Sequence, residues 1–348
     1  MSTTIPEKQT ALVVPTAFAP FEIQEVDVPK PGAGEVLVRA ESVGLNPADW
    51  AIQAYDFFKS SYPLILGCEA AGTVLQVGEG VTSLAVGDKV YHSAWFETYP
   101  GFRQYNVTPV DICVKARILF RFSCAYQAAA VPLAFNTALI GMYCPPENRG
   151  GAGITPFWQE GGRGKYAGQP ILILGGSASV SQPGKLRFCH GYTELRLKQA
   201  SSAIQFARLS GFSPIITTAS LKNAPLLKSL GATHVLDRNL SDEAFTSAVR
   251  EILAGKPLRI IYDGVSGPEI QRAAYELLTP GGIFVGCTGG RHLTPEQQAS
   301  KEKQVVFTYG SPMWEDRREM CKSFFKVMPA LFESGELKVG AHDERKID

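Results

Sequence analysis

The chain has 348 residues, of which 45% are hydrophobic, and its formal net charge at pH 7 is +1. That length can bury a large core and predicts two domains, while the near-neutral charge argues against partners such as nucleic acid or a membrane surface. No apolar run approaches the roughly 20 residues that span a bilayer. The polar segment 1–10 lacks the apolar core of a signal peptide, and the seven cysteines form no Cys-x-x-Cys pair. We therefore expect a reduced, cytoplasmic protein.

The first third of the chain predicts short strands. Turns rich in Gly and Pro separate β-prone runs at 10–14, 21–26, 35–43 and 71–77. Closely spaced strands of this kind favour a barrel-like domain. A helical run begins at Gln127; we expect Pro132 to interrupt it and residues 134–142 to continue it.

Strands and helices alternate from residue 171 onward. The predicted strands are 171–174, 214–218, 233–236, 259–262 and 283–286, and the predicted helices are 202–209, 224–230, 242–253 and 269–278. This alternation predicts an α/β domain with a parallel sheet covered by helices.

Small residues follow the first strand of this domain. The apolar run 171–174 is followed by Gly175, Gly176, Ser177, Ala178, Ser179 and Val180. A buried strand that delivers such a turn to a helix start is the usual seat of a dinucleotide pyrophosphate. An ordinary strand–helix turn looks similar, but the whole alternating unit favours a nucleotide.

The end of the second strand predicts which dinucleotide binds. NAD enzymes place an acidic residue there for the ribose, and a carboxylate would repel a 2′-phosphate. This chain has Ser220, Asn223 and Lys228 instead, which favours NADPH. The lysine is equally compatible with a solvated charge on a helix face.

The spacing between these two features is unusual. Gly176 and Ser220 are 44 positions apart, whereas about 20 are expected. Removing the 19 residues 181–199 leaves 25 and joins Val180 directly to Ala200. We interpret 181–199 as an insertion; the alternative is a loop with a special role. Left in place, it displaces the helix N-terminus whose N–H groups should hold the pyrophosphate.

Several further motifs carry a family resemblance. They are GLNPADW at 44–50, GCEAAGTV at 67–74, VGDKV at 86–90, LGATHV at 230–235 and TPGG at 279–282. With the glycine turn, they resemble the medium-chain dehydrogenase/reductase superfamily over residues 10 to 335, and within it the zinc-independent fungal ToxD-like branch with its LovC-like trans-acting enoyl reductases. The resemblance implies a GroES-like β-barrel catalytic domain at 1–135, a Rossmann NADP-binding domain at 136–312 and a truncated return segment at 313–348.

The resemblance also implies a chemistry. Zinc-dependent members place a Cys ligand where Asn46 stands and a His ligand where Cys68 stands, so no metal site is expected. Zinc-independent members reduce polarised C=C bonds with NADPH, delivering hydride to the β-carbon. The alternatives are a quinone reductase and a catalytically impaired nucleotide-binding paralogue.

Site residues are carried over from matching positions. Asn46, Asp49 and Thr137 are the catalytic candidates, and Arg238 and Cys287 join the cofactor-binding set. Asn46 could equally brace its own turn, Thr137 could bond within its helix, and Arg238, where relatives carry Tyr, could serve the surface. None of these is an obvious acid for the proton transfer, so we expect water to deliver the proton. The implied partners are a small-molecule or carrier-bound enone or enoyl substrate and a polyketide synthase of secondary metabolism, with the chain a monomer or homodimer.

Overall fold

A computed structural model of the chain describes residues 4–56, 61–93, 95–115, 128–129, 131–147, 150–175, 192–264 and 267–338, with the backbone alone for 192–199 and Asp316. Within these residues the strands are β1 (Lys8–Val14), β2 (Glu22–Asp27), β3 (Glu35–Val43), β4 (Leu64–Ile65), β5 (Glu69–Val77), β6 (Lys89–Ser93), β7 (Tyr105–Pro109), β8 (Cys113–Lys115), β9 (Ile171–Leu174), β10 (Ile215–Ala219), β11 (His234–Asp237), β12 (Ile260–Asp263), β13 (Ile283–Gly286) and β14 (Gln304–Phe307). The helices are α1 (Pro47–Tyr55), α2 (Pro132–Tyr143), α3 (Tyr192–Ser210), α4 (Ala224–Leu230), α5 (Asp242–Leu253), α6 (Pro268–Leu277), α7 (Pro295–Gln298) and α8 (Glu315–Glu333).

The chain divides into two units. The first comprises Met1–Leu133 and Ser311–Glu336, and the second comprises Ala134–Gly310 and Leu337–Asp348.

Antiparallel sheets build the first unit. A three-stranded sheet has the order β2-β1-β4, and a five-stranded sheet has the order β7-β3-β5-β6-β8. Alternating residues of β3, β5 and β6 bury valines in one core, and a second core surrounds Ile52 of α1. Helix α8 is held by a bidentate ion pair in which Arg318 donates to both oxygens of Asp111, at 3.0 and 2.8 Å.

A six-stranded parallel sheet builds the second unit. Its order is β11-β10-β9-β12-β13-β14. Successive strands are added outward from β9 on one side up to β11 and then, starting with β12, on its other side, so the strand order switches between β9 and β12. All four residues of β9 are buried, as expected for a central parallel strand covered on both faces. In sheets of this order, ligands bind at the carboxyl ends of the strands beside the reversal point. The predicted parallel sheet is confirmed.

Two local predictions were wrong in their bounds. The helical run does break before Pro132, since residues 128–129 are helical and Val131 is a bend, but the helix resumes at Pro132 rather than at residue 134, because the first turn of a helix does not use the N–H that proline lacks. Helix α3 starts at Tyr192 rather than near Ser202. No helix among the described residues is both long enough and apolar enough to cross a membrane.

Candidate active site and nucleotide site

Asn46 and Asp49 lie together at the start of α1. Asn46 precedes the helix, Pro47 opens it, and Asp49 stands in its first turn. The Oδ2 atom of Asp49 accepts the backbone N–H of Asn46 at 2.7 Å, and its Oδ1 atom accepts the N–H of Gly67 at 3.2 Å. Both side chains are buried. The structure therefore brings two of the three catalytic candidates together.

Glu69 joins this pair, and the sequence reasoning missed it. Its Oε1 atom accepts the side-chain N–H of Asn46 at 3.0 Å, and its Oε2 atom accepts the backbone N–H of Leu133 at 2.8 Å. Leu133 is in the first turn of α2, where N–H groups lack helical partners and a negative charge is favoured. The available signal was a lone carboxylate inside the apolar and small-residue run 64–72. Such a charge is buried only when it has partners.

Two acidic side chains of this cluster, Asp49 and the neighbouring Cys68, have pKa values raised by burial. Burial raises the pKa of Asp49 to about 7, against the opposing effect of the N–H bonds from Asn46 and Gly67, while nearby Glu69 raises it further. Burial also raises the pKa of the Cys68 thiol well above its usual value, helped by Asp49 and Glu69. Cys68 is therefore a neutral thiol, whose sulfur lies 3.9 Å from Oδ1 of Asp49.

Cys287 lies in the second unit beside the buried ring of Tyr262, and Thr137 lies in the same unit on α2, the helix that packs against this ring. The hydroxyl of Tyr262 is 3.4 Å from the sulfur of Cys287, which follows β13. A Cβ placed on Gly141 of α2 would stand 2.7 Å from the same ring, so the helix backbone rests directly on it. Thr137 is one turn before Gly141 and shares its helix face. Burial raises the pKa of Cys287 to about 12, so this thiol is neutral too.

The end of β10 carries polar groups without a carboxylate of its own. After Ala219, Ser220 leads into a short turn in which the N–H of Asn223 donates to the Ser220 carbonyl at 2.9 Å. The N–H of Arg238 donates to the Ala219 carbonyl at 2.9 Å, which brings the exposed Arg238 beside Ser220. Asp237 pairs with Ala219 in the sheet, but its Oδ1 atom accepts the N–H of Asn239 at 3.0 Å. Hydroxyl, amide and guanidinium groups fit the 2′-phosphate end of NADPH.

Lys228 is exposed in the last turn of α4. Gly175, at the end of β9, donates its N–H to the hydroxyl of Thr218 at 3.0 Å, which ties the glycine turn to β10. The other turn residues, 176–180, lie outside the described residues.

Helix α3 runs past the carboxyl edge of the sheet. A Cβ on Gly264, just after β12, would lie 3.5 Å from the Cβ of Ala200 and 3.3 Å from the carbonyl oxygen of Leu174, so Ala200 marks the level of the strand ends. The helix begins eight positions earlier, at Tyr192, which places its N-terminus roughly 12 Å beyond Ala200. The N–H groups from Ala200 onward are therefore inside a continuous helix, where the preceding turn uses them.

Sequence comparison accounts for both units. The profile of the alcohol dehydrogenase GroES-like domain matches residues 32–117, and the profile of the zinc-binding dehydrogenase family matches residues 200–326. The chain belongs to the medium-chain dehydrogenase/reductase superfamily. The predicted fold class, a GroES-like domain with a Rossmann-type parallel sheet, is thereby confirmed.

Fungal oxidoreductases are among the relatives. The chain is 30% identical to the trans-enoyl reductase himH of Aspergillus japonicus over 79% of its own length and 71% of himH. It is also 30% identical to the dehydrogenase azaJ of Aspergillus niger, over 71% of its own length and 64% of azaJ, so the match spans less than two thirds of that relative. A quinone oxidoreductase structure from Pseudomonas syringae has the same fold, with a TM-score of 0.69 at 23% identity, covering 96% of this chain and 91% of that one.

Proposed function

We propose that this protein is a zinc-independent, NADPH-dependent reductase of polarised C=C bonds, acting on an enone or enoyl thioester. The observation that carries the proposal is the Asn46–Glu69–Asp49 cluster. Asn46 stands where zinc-dependent members place a cysteine ligand, and its side chain is a neutral amide whose nitrogen donates a hydrogen bond to Glu69. Zinc sites in proteins are built from thiolate, imidazole and carboxylate ligands, and a carboxamide is not among them.

The choice of NADPH is supported by the end of β10. Ser220, Asn223 and Arg238 offer donors to a 2′-phosphate, and the carboxylate of Asp237 is engaged by its own loop. When bound, NADPH supplies a hydride to the β-carbon of the substrate. In the second unit Thr137 offers a hydroxyl to the cofactor, and in the first unit Asn46 offers a carboxamide to the substrate. The Cys287 thiol stays protonated at neutral pH and does not act as a nucleophile. Water then protonates the enolate.

Consumption of NADPH tests the proposal directly. The purified chain is assayed with NADPH and one acceptor at a time: crotonyl N-acetylcysteamine, cyclohexenone or benzoquinone. A separate assay contains a primary alcohol and NADP⁺. We expect turnover of the enoyl thioester or the enone, with deuterium from labelled NADPH appearing at the β-carbon. Turnover of the alcohol alone, dependent on added zinc, would contradict it.

A quinone reductase is the second candidate, favoured by the fold shared with the Pseudomonas enzyme and by the same neutral cluster. Benzoquinone turnover without enoyl turnover would select it. A third candidate is an impaired paralogue that binds nucleotide without turnover, favoured by the displaced start of α3. We further propose, from the resemblance to trans-acting enoyl reductases of secondary metabolism, a carrier-bound substrate presented by a polyketide synthase in the cytoplasm; the likeness to the trans-enoyl reductase himH supports the enoyl part of this proposal.

A further inference from the structure

Arg103 is a half-buried cation of the first unit, and it forms no ion pair with a described carboxylate. Its Nε atom is buried, and no described residue accepts a hydrogen bond from it. Burial lowers the pKa of the guanidinium to about 10, so it is still charged at neutral pH. Because a charge is costly to remove from water without a partner, such a group calls for an anion. Among the side chains of this unit that are not described, only Asp316 is acidic.

His92 of β6 lies near this guanidinium and also has polar atoms to satisfy. Its side chain is only 1% exposed, and neither ring nitrogen forms a hydrogen bond of normal geometry with a described residue. Burial lowers the pKa of His92 to about 4; the Ser93 backbone opposes this effect, and the charge of Arg103 adds to it. The imidazole is therefore neutral at pH 7 and carries one N–H donor. Two neighbouring side chains thus hold buried N–H groups that need an acceptor.

The backbone at Arg103 is well fixed. Its N–H donates to the Gly101 carbonyl at 2.8 Å, and its carbonyl accepts an N–H of the buried Asn106 side chain at 3.3 Å. Arg103 also forms a bridge with Ala11 of β1. The side chain therefore starts from a fixed point, which reduces the ordering that binding of a ligand would require.

The pairing of Arg318 shows which ligand suits an arginine of this kind. Arg318 binds Asp111 through Nε and one terminal nitrogen, at 3.0 and 2.8 Å, which is the paired geometry that guanidinium groups form with carboxylates and phosphates. The same edge of Arg103 carries the buried Nε that no described residue engages.

We propose that Arg103 and the neighbouring N–H of His92 form a binding site for an oxyanion, either a carboxylate or a phosphate. The anion is a free one or an anionic group of the substrate, such as the phosphate of a phosphopantetheine thioester. The second source rests on the proposed function, whereas the site itself rests on the burial and the hydrogen bonds of the first unit alone.

An NMR titration of the His92 imidazole tests the site without any turnover. The full chain, labelled in its five histidines, is titrated at pH 7 with sodium phosphate and with sodium acetate, and with sodium chloride at equal ionic strength as the reference. We expect the His92 signal, identified by its loss in His92→Gln, to shift and saturate with either oxyanion. If neither oxyanion shifts it beyond the chloride reference, water alone serves these N–H groups and the proposal fails.

Two substitutions of Arg103 separate its charge from its geometry. We expect Arg103→Gln and Arg103→Lys each to raise the dissociation constant for phosphate at least about tenfold, because lysine keeps the charge but not the planar pair of donors. Arg291→Gln is the matched control. Arg291 also neighbours a histidine, but it is exposed and its Nε already donates to Nε2 of His292 at 3.0 Å. Wild-type affinity in both Arg103 variants would overturn the proposal.

Asp316→Asn decides whether the chain supplies the anion itself. If the Asp316 carboxylate were the partner of Arg103, its removal would free the guanidinium and tighten the binding of phosphate. We expect the dissociation constant to be unchanged, and tighter binding would overturn the proposal.

Two thioesters that differ only in a phosphate identify the source of the anion. KM values for crotonyl pantetheine and crotonyl 4′-phosphopantetheine are measured with NADPH for the wild type and Arg103→Lys. A rise of about tenfold for the phosphorylated thioester alone assigns the site to the substrate, and unchanged values for both assign it to a free anion. If neither thioester is reduced, the proposed function fails, while the NMR titration still decides the oxyanion site.

Discussion

The backbone N–H of Arg238 donates a 2.9 Å hydrogen bond to the carbonyl oxygen of Ala219. This bond joins the residue after β11 to the last residue of β10, so the Arg238 side chain starts beside Ser220. An anionic group at the end of β10 would meet a guanidinium and a hydroxyl at this point. An unphosphorylated ribose carries no negative charge and so cannot form a charge-assisted hydrogen bond with this guanidinium.

Arg238→Gln should therefore weaken the binding of NADPH and leave the binding of NADH unchanged. We expect the dissociation constant for NADPH to rise about tenfold through loss of a charge-assisted hydrogen bond, with that for NADH unchanged. Fluorescence titration with both nucleotides measures the two constants. Lys228→Gln is the control: this exposed lysine lies in the last turn of α4, and its loss should have a smaller effect. Equal weakening of NADPH and NADH would refute the assignment.

Removal of 181–199 should strengthen nucleotide binding. The deletion joins Val180 to Ala200 and allows a helix to begin at the level of the strand ends, where its free N–H groups can meet the pyrophosphate. We expect NADPH to bind the shortened chain at least about tenfold more tightly than the full chain. Fluorescence titration of the two proteins provides the measurement.

The ligand 2′-AMP is the control for this deletion. It carries the 2′-phosphate but no pyrophosphate, so both proteins should bind it alike. If the two proteins bind NADPH equally well, the start of α3 does not limit the phosphate site. If the shortened chain loses 2′-AMP binding, the deletion has damaged the sheet edge instead.

Asp49 should make the protein less stable as pH rises. Its pKa is about 7 in the folded protein and 3.8 as an ordinary aspartate, so between these values the folded state holds more protons than the unfolded state. The free energy of unfolding then falls with increasing pH by about 2 kcal/mol between pH 5 and 7, and is constant above both values. Asp49→Asn removes this slope. Urea unfolding of both proteins at pH 5, 6 and 7 measures it.

A second buried group has the opposite sign in the same range. Burial lowers the pKa of His92 from 6.5 to about 4, so its contribution to stability is lost as pH falls through this interval. The comparison must therefore be the difference between wild type and Asp49→Asn at each pH. Parallel profiles for the two proteins would contradict the raised pKa. His92→Gln removes a contribution that makes the free energy of unfolding rise with pH, so this variant should show a steeper fall in stability between pH 5 and 7 than the wild type.

Gly141→Ala should destabilise the second unit. The added methyl group would stand 2.7 Å from the ring of Tyr262 and 3.2 Å from Cγ2 of Thr308, both buried. Overpacking of this kind costs roughly 1–3 kcal/mol, which exceeds the helix propensity that alanine gains over glycine, about 1 kcal/mol. Urea unfolding at one pH should show a net loss, and an unchanged or raised stability would mean that α2 can lift off the ring.

Much of the second unit could be predicted from its amino-acid sequence. The bounds predicted for β9, α4, α5 and β13 coincide with those observed, because apolar periodicity and capping residues such as Ser241 agree there. The first two turns of α3 could not be predicted, since 192–199 is mainly polar and shows no apolar stripe. Its helix-forming residues, among them Glu194, Arg196 and Lys198, continue the buried helix by local propensity.

Two residues of the candidate site could be predicted from the sequence, but the hydrogen bond that joins Asn46 to Glu69 could not. Asn46 and Asp49 could be placed on one turn from the Asn-Pro motif. That Glu69, twenty-three positions after Asn46, would bind it depends on how β5 meets the start of α1, which no local pattern encodes. Long-range hydrogen bonds of this kind are set by the tertiary fold.

Helix α3 is buried on nearly every side from Ala200 to Ser210. A helix enclosed in this way can neither rotate nor slide, so its register against the sheet is independent of what precedes Ala200. Changes in chain length before this point are then absorbed entirely at the nucleotide end. The chain that lacks 181–199 should therefore keep the packing of 200–210, so that a difference in nucleotide affinity between the two proteins reports on the start of α3 rather than on the fold of the second unit.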